Sequence, residues 1–310
     1  MTHQRPFRFG VQVAQASSGQ EWQETARKVE ANGYDTLLLP DHIVGVRLAC
    51  GPALLLAAAA TTTLRVGTLT LDNDFRHPAL VASEAATLDF LSDGRFELGI
   101  GAGWMLEDYE KSGIPFDPPG VRVKRFEESV GIIKRLLSGE VVNFDGDYYK
   151  ITDLEGFPKP VQQPRPPILF GAGSKRMLKF AAREADIVGL APPAAPQGGI
   201  ELKIDAASVE NQVEYLREQA GERAGALEIQ MLNQYLAFTD DPQSTAQDLS
   251  ERWELPAGTV LESPHIIIGT VDSVVEKLIA ERERFGISYV VVRGPAMEDF
   301  APVVARLSGS

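Results

Sequence analysis

The chain has 310 residues, of which 44% are hydrophobic and 24% charged, a composition typical of a folded globular protein. Its formal net charge of -13 argues against nucleic acid or an anionic membrane as a partner, because phosphate groups attract clustered Lys and Arg. A single cysteine, Cys50, excludes an internal disulfide and a cysteine-based zinc cluster, and we expect no metal site.

The chain carries no sign of export or of a membrane span. Its first residues, MTHQRPFRFG, lack the apolar core of a signal peptide, and the longest apolar run, ALLLAAAA (53–60), is too short to cross a bilayer. With the single cysteine, these features predict a cytoplasmic protein.

Short runs rich in Val, Ile and Leu alternate with helical patterns along the chain. The runs show little polar alternation, which is typical of strands buried on both faces in a parallel sheet covered by helices. The predicted strands are 7–13, 35–40, 65–71, 95–101, 167–171, 186–191, 229–238 and 288–294.

The segments between these runs have apolar residues at helical spacing, and most stop at a glycine, a common C-terminal signal of helices. The predicted helices are 19–33, a buried apolar helix at 51–63, 78–94, 125–139 and 270–286. Eight strand–helix units predict a (β/α)8 TIM-type barrel, as one domain over residues 1–310. A doubly wound sheet is the alternative, but it favours a G-x-G-x-x-G turn after the first strand, where this chain has AQASSGQEW.

Two stretches interrupt the alternation and predict insertions. Residues 140–166, after the fourth helix, hold an Asp-Gly turn between aromatic runs and then four prolines, which predicts a hairpin and an extended segment. Residues 191–199 (APPAAPQGG), after strand six, predict either a lid over an active site or a solvated linker.

In a barrel of this type the active site lies where the strands end. Asp41 and His42 follow strand two and are the best catalytic candidates, because two adjacent titratable groups are costly to bury without a function. The segment GAGSK (171–175) opens a helix whose first amides are able to bind a phosphate. His77, before Pro78, is expected only to cap the third helix.

Three segments resemble the bacterial luciferase-like superfamily: GYDTLLLPDHI, LRVGTLTLDNDFRHPALVASEAATLDFLSDGRFELGIGAGW and PPILFGAGSKRMLKFAAREADIV. That superfamily contains FMN-dependent monooxygenases and oxidoreductases that use the deazaflavin coenzyme F420. The resemblance covers about residues 7–190 and, more weakly, the last strand. NDFRHPAL and GIPFDPPGVRV are similar to subfamilies assigned to F420, so the resemblance implies coenzyme F420, with FMN as the alternative.

The resemblance also implies roles for particular residues on the cofactor ring. Asp41 and His42 match an acid–histidine pair at the face of the ring, where Asp41 would contact the ring or orient the imidazole. Leu69-Thr70 matches a non-prolyl cis peptide bond beneath the ring.

Further roles concern the phosphate end and the proton donor. Gly171, Gly173 and Ser174 match the phosphate-binding loop, which Lys175 follows. Next to Gly103, Trp104 occupies the place of a catalytic Glu in several deazaflavin enzymes. Glu107, one helical turn later, is then the candidate proton donor.

We therefore expect hydride transfer between coenzyme F420 and a small organic substrate. An FMN-dependent monooxygenase and a non-catalytic ligand-binding barrel are the alternatives. Lys175, Arg176 and Arg293 are candidates to meet the anionic tail of the deazaflavin. The apolar helix 51–63 has more Ala and Leu than one barrel-facing stripe needs, which predicts a homodimer.

Overall fold

Thirteen strands and eleven helices alternate along residues 5–45, 48–195 and 197–310, the part of the chain that this computed structural model describes. The strands are β1 (Arg8–Gln12), β2 (Thr36–Leu39), β3 (Arg65–Thr68), β4 (Leu71–Asp72), β5 (Phe96–Gly101), β6 (Val141–Asp145), β7 (Lys150–Glu155), β8 (Ile168–Ala172), β9 (Ile187–Leu190), β10 (Glu228–Leu232), β11 (Tyr235–Phe238), β12 (Ile266–Gly269) and β13 (Ile287–Arg293). The helices are α1 (Gly19–Ala31), α2 (Cys50–Ala60), α3 (Pro78–Leu91), α4 (Leu106–Ser112), α5 (Pro119–Leu137), α6 (Lys175–Glu184), α7 (Ala206–Ala220), α8 (Pro242–Trp253), α9 (Ala257–Glu262), α10 (Val271–Phe285) and α11 (Met297–Leu307).

Eight of these strands close into a parallel barrel. The order around it is β1, β2, β3, β5, β8, β9, β10 and β13, and β13 pairs with β1 to complete the circle. Because every pairing is parallel, the carboxyl ends of all eight strands meet at one mouth. The (β/α)8 barrel predicted from the sequence is confirmed, and each predicted strand overlaps one strand of the barrel.

The opposite end of the barrel is filled with ion pairs. Arg8 contacts Glu97 at 2.6 Å and Glu228 at 3.0 Å, and Arg65 contacts Glu97 at 2.6 Å. Burial acts to raise the pKa of Glu97, but the two arginines outweigh it and hold that pKa below its usual range. All four charged residues lie at or next to the starts of strands, so they support the barrel far from its mouth.

Apolar side chains fill the space above this end and outside the strands. Leu38, Leu169, Ile187, Tyr289 and Val291 form a small buried cluster of their own. A much larger cluster joins residues of the strands to the buried faces of the surrounding helices. No helix in the described ranges combines the length and the apolar composition needed to cross a membrane.

The predicted helices form, with shifted ends. α5 begins at Pro119 rather than at residue 125, because proline suits the first position of a helix, where no amide is needed for a hydrogen bond. α10 ends as predicted at Gly286, which has the left-handed φ of 80° that favours glycine. His77 caps α3, as expected, by accepting a hydrogen bond from the backbone N–H of Ala79 at 3.2 Å.

Both predicted insertions are present, and a third was missed. β6 and β7 form the antiparallel hairpin, and the residues between β9 and α7 form a loop in which Pro196 lies outside the described part. The prediction of one continuous strand over 229–238 is wrong. The backbone N–H of Asn233 donates to the Val291 carbonyl at 2.9 Å, after which β11 leaves the barrel and pairs with β12.

Candidate active site

The two catalytic candidates of strand two sit just beyond the end of β2, at the mouth of the barrel. Although Asp41 and His42 are adjacent in the chain, their side chains contact different partners. Both carboxylate oxygens of Asp41 contact the guanidinium of Arg76, which lies 3.0 Å away on the Oδ1 side. Asp41 also accepts the backbone N–H of Asp72 at 3.0 Å. The expectation that Asp41 orients the imidazole is therefore wrong, because its oxygens hold Arg76 and the chain after β4.

The carboxylate that orients His42 is Asp108, on α4. His42 Nδ1 lies 2.6 Å from Asp108 Oδ2, and Asp108 Oδ1 accepts the backbone N–H groups of Ile43 at 2.9 Å and Val44 at 2.7 Å. Asp108 is buried, whereas the imidazole is partly exposed. Because a carboxylate only accepts, Nδ1 carries the proton toward Asp108, and Nε2 remains for other chemistry.

Glu107, the candidate proton donor, has a partner on its own helix. It pairs with Lys111 one helical turn along α4, and its side chain is about half exposed. The rotation of about 100° between adjacent helical residues turns Asp108 toward the barrel instead, and the role of Glu107 as proton donor remains a prediction.

Helix α4 is fixed to the barrel by the residue after Asp108. The hydroxyl of Tyr109 donates to the carboxylate of Asp72, with its oxygen 3.0 Å from Oδ1 and 2.9 Å from Oδ2. Burial raises the pKa of Asp72 to about 7. Gly103, with φ of 78°, passes so close that a Cβ there would lie 1.9 Å from the Tyr109 hydroxyl. Gly103 is thus required for this packing.

The peptide bond between Leu69 and Thr70 is cis, as the resemblance implied. The Thr70 side chain lies among strand-end glycines of β5 and β8. A Cβ at Gly101 would lie 3.0 Å from Thr70 Oγ1, and one at Gly171 would lie 3.6 Å from Thr70 Cγ2. These glycines therefore leave space around Thr70 at the centre of the mouth.

The GAGSK segment opens α6, as predicted. Ser174 caps the helix by accepting the backbone N–H of Met177 at 3.3 Å, which leaves the amides of Lys175 and Arg176 without intrahelical partners. A Cβ on Gly173 would lie 2.6 Å from the Ala191 carbonyl oxygen and 2.8 Å from that of Pro192. The loop is thus packed directly against the chain that follows β9.

The basic residues near this loop differ in their partners. Arg176 is neutralised by Glu127, at 2.9 Å, and also donates to the Gly120 carbonyl. The Lys175 ammonium lies 5.5 Å from the ring centroid of Tyr215. Of the two residues that begin α6, Lys175 is therefore the one whose charge is available to an anion.

Apolar side chains border the mouth. The ring of Trp104 meets the His42 imidazole edge-on, with 5.6 Å between centroids, and is more than one third exposed. Ile43, Ile200 and Leu202 are also exposed. Because the backbone N–H of Gly199 donates to the Trp104 carbonyl at 3.4 Å, the segment after β9 contacts the Trp104 loop, which favours a lid over a solvated linker.

One protein-family model matches the part of the chain that contains this site. Residues 3–212 match the family described as luciferase-like monooxygenase, which is more than half of the chain. The chain belongs to this family. The match includes β1 to β9, and so it contains Asp41, His42, Asp108 and the loop that opens α6.

Several curated proteins are similar to this chain over part of its length. F420-dependent glucose-6-phosphate dehydrogenase of Amycolatopsis mediterranei (strain U-32) is 34% identical over 173 residues, which are 53% of this chain and 50% of that protein. The enzyme of the same name from Kineococcus radiotolerans is 34% identical over 193 residues, 60% of this chain and 56% of that protein. The chain spans about half the length of the curated relatives it matches.

Solved structures agree on the barrel. Coenzyme F420-dependent tetrahydromethanopterin reductase from Methanopyrus kandleri superposes with a TM-score of 0.75 at 21% identity, over 98% of both chains. A riboflavin lyase with modified FMN and riboflavin gives 0.76 at 16% identity, over 97% of this chain and 91% of that one. At these identities the likeness concerns the fold alone.

The described residues fit a flavin-like cofactor. Thr70 and its surrounding glycines leave room at the centre of the mouth, and the first turn of α6 offers amides to a phosphate. Sequence reasoning missed Asp108 and Arg76 as functional partners, because each lies far along the chain from the residue that it contacts. The only local signal was the DY pair of α4, in which Tyr109 anchors the helix and Asp108 points to His42.

Proposed function

We propose that this luciferase-like protein is an oxidoreductase that transfers a hydride between coenzyme F420 and a small organic substrate. The observation that carries the proposal is the contact of 2.6 Å between His42 Nδ1 and the buried Asp108 at the barrel mouth. A buried carboxylate that orients a partly exposed imidazole is the arrangement of a general acid or base. The names of the curated relatives support coenzyme F420 as the cofactor.

Separate parts of the mouth would hold separate parts of the coenzyme. Gly171, Gly173, Ser174 and the first amides of α6 would bind its phosphate, with Lys175 beside them. Leu69-Thr70, Gly103 and Trp104 would border the flat ring, which supplies hydride chemistry when bound.

His42 would manage the proton that accompanies the hydride. A substrate that gives up a hydride from carbon also loses a proton from its hydroxyl or amine group, and His42 Nε2 can accept it. In the opposite direction Nε2 would donate that proton. Asp108 serves both directions, because its carboxylate keeps Nδ1 protonated and stabilises the imidazolium. Asp41 would act indirectly, by holding Arg76 and the chain after β4.

A flavin monooxygenase is the second candidate, and the description of the matching family favours it. Titration of the purified protein with coenzyme F420 and with FMN separates the two, using the fluorescence of each cofactor. We expect F420 to bind with a dissociation constant in the micromolar range or below, about 8 kcal/mol of binding free energy, and FMN far more weakly. Stoichiometric binding of FMN alone would favour the monooxygenase, and binding of neither would favour a non-catalytic barrel.

We also propose that the protein is a homodimer. Leu56 of α2 and Leu80, Phe90 and Leu91 of α3 are exposed, although large apolar side chains usually gain from burial. Light scattering should give twice the monomer mass at micromolar concentration, and Phe90→Glu should lower it. A monomer mass for the unmodified protein would contradict this. One domain over residues 1–310 and a cytoplasmic location remain predictions.

A further inference from the structure

Arg293, the last residue of β13, lies at the mouth between two glutamine side chains. Its Nη1 donates to Gln12 Oε1 at 3.3 Å and its Nη2 to Gln234 Oε1 at 2.8 Å. The Gln12 amide is held in this direction because its Nε2 donates to the Leu69 carbonyl at 2.9 Å. The Gln12 side chain thus connects Arg293 to the backbone of Leu69 at the mouth of the barrel.

The charge of Arg293 meets no carboxylate within the described ranges 5–45, 48–195 and 197–310. The residues outside those ranges include no Asp or Glu. Burial lowers the pKa of the Arg293 guanidinium, although arginine remains charged near neutral pH. By contrast, Arg8 and Arg76 pair with carboxylates.

Arg95, which also lacks a carboxylate partner in the described ranges, is compensated in another way. Arg95 donates to the main-chain carbonyls of Ser92, Leu64 and Ala58, near helix ends. Among the described residues, Arg293 donates hydrogen bonds only to neutral side-chain amides, which align the guanidinium but do not neutralise it. Its side chain also remains exposed, so that a ligand can reach it. Partial desolvation without a counter-charge is unfavourable unless an anion completes the site.

The position of Arg293 separates it from the loop that opens α6. Around the barrel, β13 lies three strands away from β8, the strand that leads to that loop. On its other side β13 is next to β1, and β1 is next to β2, which leads to His42. Gln12 is the register partner of Arg293 on β1. An anion held by Arg293 would therefore lie on the His42 side of the mouth, away from the amides of α6.

We propose that Arg293, aligned by Gln12 and Gln234, binds an anionic group, a carboxylate or a phosphate, on the substrate that reacts beside His42. This inference rests on the proposed function, in which the phosphate of the coenzyme occupies the first turn of α6. The planar guanidinium has two parallel N–H groups that match the two oxygens of a carboxylate or phosphate.

The test is a titration of the protein saturated with coenzyme F420, using inorganic phosphate and succinate as probes. Saturation is needed because the first turn of α6 would also bind phosphate in the free protein. Arg293→Gln should weaken both probes at least about tenfold, the loss typical of a charged hydrogen bond, while the affinity for the coenzyme is unchanged. Arg293→Lys should restore part of the affinity. The control is Arg284→Gln, which removes the same charge at the end of α10 and should leave both probes unaffected.

Other outcomes would overturn the assignment. If Arg293→Gln binds the coenzyme itself at least tenfold more weakly, Arg293 meets the anionic tail of the coenzyme and not the substrate. Equal probe affinities in the two proteins, or no probe binding to the unmodified protein, would remove the anion site. If F420 does not bind, the proposed function fails. The probe affinities of the unmodified protein and Arg293→Gln can then be compared with FMN bound or in the free protein, and that comparison still decides whether Arg293 binds an anion.

Discussion

Replacing Asp108 by Asn changes one atom at the His42 contact and keeps the shape of the side chain. The Oδ1 of the amide can still accept the backbone N–H groups of Ile43 and Val44, now at 2.9 and 2.7 Å. The amide nitrogen takes the place of Oδ2, 2.6 Å from His42 Nδ1. Because that nitrogen only donates, Nδ1 must become the acceptor, and the proton of the neutral imidazole moves to Nε2.

The magnitude follows from these contacts. The charged hydrogen bond to His42 is replaced by a neutral one, which should lower the free energy of unfolding by up to about 1.5–3 kcal/mol, while the two backbone contacts persist. His42 Nε2 can then no longer accept a proton, so we expect turnover to fall by about 10²–10⁴, the usual contribution of a general acid or base. His42→Ala should lower turnover by a similar factor, with little change in the affinity for the cofactor.

Nitrogen-15 NMR of the histidine rings reads the tautomer without needing the substrate. The chain has only 4 histidines, so assignment by single substitutions is practical. Glu107→Gln is the matched control: it makes the same chemical change one residue away, on an exposed ion pair, and should alter stability by about 0.5 kcal/mol or less. If Asp108→Asn leaves Nδ1 as the protonated nitrogen, the assigned role of Asp108 is refuted.

Two further predictions concern the framework of the site. Burial raises the pKa of Asp72 from 3.8 to about 7, so its contribution to stability is complete below pH 3.8 and is lost as the pH rises toward 7. Asp72→Asn should therefore remove up to about 4 kcal/mol of the pH dependence of the unfolding free energy, measured with denaturant between pH 4 and 8. An unchanged pH profile would contradict a buried, protonated Asp72. Gly173→Ala should lower the free energy of unfolding by about 1–3 kcal/mol and weaken cofactor binding, because its Cβ would lie 2.6 Å from the Ala191 carbonyl oxygen. As a control, the Cβ of Gly51→Ala on α2 meets nothing within 4 Å, so this variant should be neutral or stabilising in thermal unfolding. Equal melting temperatures for the two variants would count against tight packing of the loop.

The sequence predicts the barrel well because its strands are buried on both faces. Runs such as SYVVVRG and PILFG have no polar face, and this signal is local, so it can be recognised without knowing which strand lies beside which. The same signal failed at 229–238. Tyr235–Phe238 is as apolar as the strand before it, so no local signal shows that the barrel strand ends at Leu232 and that β11 pairs with β12 instead.

The position of Asp41 and His42 at a strand end could be predicted from the sequence, whereas their partners could not. Asp41 and His42 stand out because two polar residues directly follow an apolar strand. The choice between Glu107 and Asp108 depends on the rotation of α4, and a helix of 7 residues is too short for its apolar pattern to define a face. Arg76 is 35 positions from Asp41, so that pairing appears only when β2 and β3 lie side by side.

A chain of contacts links Asp72 to the position of His42. A helix as short as α4 does not form by itself, because nucleation costs more than one or two turns recover, and tertiary contacts must therefore hold it. The hydroxyl of Tyr109 on the Asp72 carboxylate is such a contact, and Asp108 is the residue directly before Tyr109. Loss of the Asp72 contact would release the helix that carries the partner of His42. We therefore expect Asp72 and Tyr109 to act as positioning residues, because they hold the helix that carries Asp108.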